Sequence, residues 1–121
     1  MIQKKLLLPE RVRRIEGSFA FIEHRFLRAG FWRNLRPQER LLYVLLVLAS
    51  DRQGLSYYSY DKLCSLLDIT ADDYIEARDG LIDQDLLAFD GTLFQVLSLP
   101  NEPIGRAVAA QGSHRGSWRW P

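Results

Sequence analysis

From Leu41 to Ala49 every residue is apolar, and Pro37 and Glu39 stand just ahead of the run. Proline suits the first helical position and an acid suits the first turn, so the pattern predicts a helix opening at Pro37. A helix that is apolar all round is buried on more than one side. Its expected role is core, with a dimer seam as the alternative. Gln53–Gly54 then reads as a turn and Leu55–Tyr58 as a short aromatic strand. Ser59 is placed to cap a second helix, Tyr60–Leu67, with Leu63, Leu66 and Leu67 on one face. Asp68–Ile69–Thr70 is a turn, and Thr70 with Asp73 forms a capping pair for a third helix over Ala71–Gln84. Tyr74, Ile75, Ala77, Leu81 and Ile82 are expected to point inward from it. Two β-rich runs, Leu86–Phe89 and Thr92–Leu97, flank Asp90–Gly91, which predicts a hairpin closed by a tight type I′ turn.

The flanks are less regular. Residues 1–16 alternate bases with aliphatics around Pro9, as an extended arm does, with a strand expected near Phe19–Ile22. In His24–Leu35, the apolar anchors are Phe26, Leu27, Phe31, Trp32 and Leu35, and Gly30 is expected to end a short helix over Glu23–Ala29. Pro100 and Pro103 close the domain. The predicted division is a basic arm over 1–18, a domain over 19–99 and a tail over 100–121 that carries Trp118–Arg119–Trp120. The fold class is mainly α with a small β wing: a three-helix core plus a two- or three-stranded antiparallel sheet.

Net charge is only +1, but its distribution is uneven. Residues 1–52 hold eleven bases and five acids, whereas residues 59–90 hold nine acids and two bases. One face therefore meets an anion, or opposite faces pair between copies. The lone cysteine, Cys64, rules out an internal disulfide and a thiolate metal site, and its leucine neighbours make it a small core residue. Leu6–Leu8 is too short for a signal-peptide core, and Leu41–Ala49 is too short to span a bilayer. The expected location is the cytoplasm, with no membrane partner.

Taken together, Leu35–Phe89 resembles the winged helix-turn-helix domains of plasmid, phage and mobile-element replication and regulatory proteins. The resemblance rests on Leu41–Leu48, Gly54, Ser59, Leu63–Cys64, Asp68–Ile69–Thr70, Leu81 and Leu86–Leu87. It covers less than half the chain and implies a DNA-reading third helix and a wing that contacts DNA. Here the reading positions are Ala71, Asp72, Asp73, Glu76 and Asp79, with Arg78 as the one base, and the wing tip carries neither Lys nor Arg. Acids of that density repel phosphates.

Three functions compete. In the first, DNA is bound through the basic N-terminal half: Lys4, Lys5, Arg11, Arg13, Arg14, Arg25, Arg28, Arg33, Arg36 and Arg40. A basic arm can track a groove, and the Trp118–Arg119–Trp120 cluster can stack on bases. The chain is then an accessory or regulatory factor of a mobile or replicating element, a context drawn from the resemblance alone. In the second, the acidic helix docks a basic protein surface or another copy through Asp72, Asp73, Glu76 and Asp79, helped by exposed Tyr57, Tyr58 and Tyr60. In the third, the chain is an enzyme. Only His24 and His114 are present, and no phosphate loop, metal-ligand spacing or nucleophile–base pair accompanies them, so no catalytic residue, metal, cofactor or small-molecule substrate is expected.

Overall fold

The computed structural model describes residues 2–105. A short turn of 3₁₀ helix at Pro9–Arg11 lies in the N-terminal arm, followed by helices α1 (Arg25–Arg28) and α2 (Pro37–Ala49). Strand β1 (Leu55–Tyr57), helices α3 (Tyr60–Leu67) and α4 (Ala71–Asp83), and strands β2 (Leu87–Phe89) and β3 (Leu93–Val96) complete the order. The sheet is three-stranded and antiparallel, in the order β1-β3-β2, with Ser56 opposite Phe94 and Phe89 opposite Phe94 on the other side. The architecture is mainly α with a small sheet, as the sequence predicts.

The helix starts follow from their caps. Ser59 Oγ accepts from the Lys62 N–H at 3.3 Å, and Thr70 Oγ1 accepts from the Asp73 N–H at 3.1 Å. At α2, Pro37 holds the first position and Glu39 reaches back to accept the Arg36 N–H at 2.9 Å. The α3–α4 turn closes with Asp68 in the left-handed region at φ 57°, its N–H returned to the Cys64 carbonyl.

Leu42, Leu46, Leu63, Leu81 and Phe94 are sealed between α2, α3, α4 and the sheet. Phe26 wedges α1 into this core, stacked on Tyr43 at 4.6 Å and on Phe31 at 6.2 Å. Burial, helped by the charge on Glu23, pushes the Tyr43 phenol from its ordinary 10.0 up to about 12. The native state then holds this proton more tightly than the unfolded chain. That contribution is complete below pH 10 and is lost as pH rises from 10 toward 12. Urea titrations across this range should show a fall of about 2 kcal/mol that Tyr43→Phe flattens. An unchanged slope in Tyr43→Phe would place the alkaline transition elsewhere.

Where α2 crosses α4, Glu39 is buried (1% exposed) against Gly80. A Cβ on Gly80 would overlap the Glu39 carboxylate, so this crossing needs glycine. Ala is the better helix former by about 1 kcal/mol, yet Gly80→Ala should destabilise, because the carboxylate can yield only by abandoning the Arg36 cap. A double-mutant cycle with Glu39→Ala should show coupling of about 1–3 kcal/mol. Additive effects would mean that the crossing relaxes freely.

Several expectations are corrected. Phe19–Ile22 forms no strand; it is irregular chain that lines an open cleft with Tyr43 and Val47 of α2, the turn before β1 and the chain leaving β3, with Phe19 and Phe21 exposed. In α2, Leu42, Tyr43, Leu46 and Val47 are buried, whereas Leu41 and Leu48 are 51% and 68% exposed. Leu27 and Leu66 are exposed as well, and Cys64 is half-buried at the core margin. The hairpin turn lies one residue later than predicted. Asp90 and Leu93 are joined by a backbone bond of 3.2 Å, so the loop is Gly91–Thr92. Gly91 alone takes positive φ, at 102°, which fits a II′ geometry and not I′. The Asp90 carboxylate drives the shift by accepting the Thr92 and Leu93 N–H groups at 2.9 and 2.7 Å. Those bonds hold its pKa below the ordinary value.

Candidate nucleic-acid interface

The ten basic candidates divide by what the fold already asks of them. Lys4, Lys5, Arg11, Arg13 and Arg14 lie on an arm with no buried residue, all exposed. Arg28 on α1 and Arg36 at the start of α2 are exposed too. Arg25 is committed elsewhere. Its guanidinium donates to the Pro100 and Leu99 carbonyls at 2.8 and 3.0 Å and to Glu23 at 3.1 Å, and it lies over the Phe31 ring. Arg40 donates to the Trp32 carbonyl at 2.9 Å and covers the Trp32 ring at 4.9 Å. Arg33 is half-buried. The fold thus uses Arg25 and Arg40 as fasteners and leaves the arm, Arg28 and Arg36 facing solvent. Arg25 and Arg28 do share the short α1, but only Arg28 is turned outward.

Helix α4 follows the α3 turn and precedes the β2–β3 hairpin, the place that the resemblance to winged helices would give a reading helix. Asp72, Glu76, Asp79 and Asp83 recur at spacings of four, three and four, all exposed, and so form one acidic stripe along its length. Asp73 departs from that stripe. It is half-buried at the capping position beneath Thr70. Acids in the first turn are explained by the helix dipole, but Asp83 in the last turn opposes it. The expected inward face is also corrected. Tyr74, Ala77, Gly80 and Leu81 are buried, whereas Ile75 and Ile82 are 42% and 38% exposed. Both isoleucines sit one residue off the 74–77–81 row, and a single packed stripe cannot hold both rows. That heptad offset was the signal available in the sequence. The outer face of α4 is therefore acidic and aliphatic together.

Beside the N-terminal half of α4 an open cleft of about 760 Å³ runs to the wing tip. Tyr57, Tyr58 and Tyr60 wall it as exposed side chains, facing Ile75 and Tyr74. Arg78 lies 5.6 Å from the Tyr74 ring and 5.3 Å from the Phe89 ring, and it pairs with Asp79 at 3.0 Å. The one cation of α4 is held by rings and a carboxylate, which leaves the helix no base for a phosphate.

Among the described residues, no three His, Cys, Asp or Glu side chains converge as a metal site requires, and no helix is long and apolar enough to cross a membrane. His114 and Trp118–Arg119–Trp120 lie outside the described residues. No protein-family model matches the sequence, and no curated protein matches it. Among solved structures, one described as "Structure of Rep-DNA complex" superposes with a TM-score of 0.50 over 86% of this chain and 90% of the other, at 17% identity. At that identity the likeness is one of fold: this chain shares its overall architecture with a protein solved bound to DNA.

Proposed function

We propose that this chain is a winged-helix DNA-binding protein, an accessory or regulatory factor of a replicating or mobile genetic element, that grips DNA through its basic N-terminal half. The carrying observation is the sorting of charge. Lys4, Lys5, Arg11, Arg13, Arg14, Arg28 and Arg36 face solvent, while the helix in the reading position is acidic. Arg25, Arg33 and Arg40 are secondary candidates, since the fold turns them partly inward. The likeness to a protein in a Rep–DNA complex supports a role in replication. In this reading residues 1–18 are the arm, 19–99 the folded body and 100–121 the tail. The domain positions the arm and does not read bases through α4; no catalytic step is part of the function.

The test is a titration against a random-sequence duplex at about 50 and 200 mM salt. Seven phosphate contacts predict a loss of affinity on the order of 10³-fold between the two. No binding at the lower salt would overturn the proposal.

A second reading is favoured for α4 itself. Ile75 and Ile82 beside an acidic stripe suit a protein surface of opposite charge, not a groove of phosphates. Both roles fit one chain, with DNA on the arm and a polypeptide on α4.

A further inference from the structure

Three features outside the basic arm bear on what covers α4. The first is the tyrosine-walled cleft beside its N-terminal half, with Ile75 at its edge. The second is the stripe of Asp72, Glu76, Asp79 and Asp83, which runs from that cleft to the far end of the helix. The third is the place where the described chain stops. Asn34 Nδ2 donates both to the Ile104 carbonyl, at 2.8 Å, and to the Gln84 side chain. Gln84 is the residue that caps α4. The chain therefore passes residue 104 beside the C-terminal end of the acidic helix.

Residues 106–121 have the complementary chemistry. They carry Arg106, Arg115 and Arg119, no acid, and the pair Trp118 and Trp120. From Gln84 back to Ile75 the helix rises roughly 14 Å. The thirteen residues from Gly105 to Trp118 can span up to about 43 Å, so reach is no obstacle. An indole is an apolar plate with one donor, suited to a cleft of tyrosines that offers rings and hydroxyls together.

We propose that residues 106–121 dock on this same chain along the outer face of α4, with arginines over the acidic stripe and Trp118 and Trp120 in the tyrosine-walled cleft. This rests on the reading of α4 as a surface for polypeptide and is independent of DNA binding by the arm.

The test uses the full chain carrying Trp32→Phe, so that Trp118 and Trp120 are its only indoles. Docking predicts blue-shifted emission and acrylamide quenching several-fold weaker than for free tryptophanamide, independent of dilution. Ile75→Arg should return both to the free values. Quenching at the free rate from the start would overturn the proposal. Protection that vanishes on dilution would overturn it too, by seating the tail in a neighbouring copy. If Trp32→Phe does not fold, the otherwise unaltered chain provides a second measurement. The Ile75 methyl resonances should move when Trp118 and Trp120 are both replaced by Ala, through loss of ring-current shifts; unmoved resonances would sink the idea. Duplex DNA separates this failure from that of its premise. Free indoles with Ile75 indifferent to duplex remove only the tail, whereas Ile75 resonances that shift on adding duplex remove the polypeptide-facing reading as well.

Discussion

Replacing Gly54 with Ala should cost this domain about 3–5 kcal/mol, from backbone strain and a lost ladder bond together. Gly54 sits at φ 86°, where an L side chain is strained, and a Cβ there would lie 2.5 Å from the Val96 carbonyl oxygen. That oxygen belongs to the backbone of β3 and cannot swing away. The Gly54 carbonyl also accepts the Val96 N–H at 2.8 Å, the bond that extends the β1–β3 ladder. Relieving the clash therefore peels β1 from the centre of the sheet. Against a total stability of about 5–15 kcal/mol for an ordinary domain, the loss approaches unfolding. Gly91 is the control. It too has positive φ, 102°, but a Cβ there meets nothing within 4 Å. Gly91→Ala should cost only the conformational strain, about 1 kcal/mol. Thermal melts of the two variants decide the matter; equal shifts would mean that the Val96 contact contributes nothing.

Replacing Arg11, Arg13 and Arg14 together with Ala should weaken duplex binding on the order of 10²-fold at low salt and lower the salt slope by about 2.7. The weakening should be uniform across DNA sequences, because phosphate contacts carry no sequence information. All three residues are exposed and outside the core, so melting temperature should hold. Arg25→Ala behaves differently. It should lower stability, since Leu99 and Pro100 lose their donor, and change the salt slope little. An unchanged slope in the triple variant would remove the arm from the interface.

The parts of this fold that were legible in the sequence are those fixed by neighbours in the chain. Pro37, Ser59 and Thr70 mark helix starts because each acts on N–H groups within its own first turn. The β2–β3 hairpin follows from β-rich runs and turn residues, yet its turn lies one residue later because the Asp90 carboxylate overrides the Asp-Gly preference. What was not legible depends on distant partners. Arg25 looks like any surface arginine until the chain returns 75 residues later with Pro100. Ile75 and Ile82 look like core until Tyr74, Ala77 and Leu81 fill the single row that α2 can cover. Charge asymmetry was visible from composition, whereas which cations stay available had to wait for the packing.

The Arg25 clasp has a mechanical consequence. It ties the start of α1 to residues 99 and 100, so the inbound and outbound chain leave the body at a shared anchorage. Tension from a pulled tail meets the Asn34–Ile104 bond first and then that guanidinium, whereas tension from a held arm comes to α1. A pull on both ends is thus met at side-chain bonds near the chain's entry and exit, ahead of the sheet.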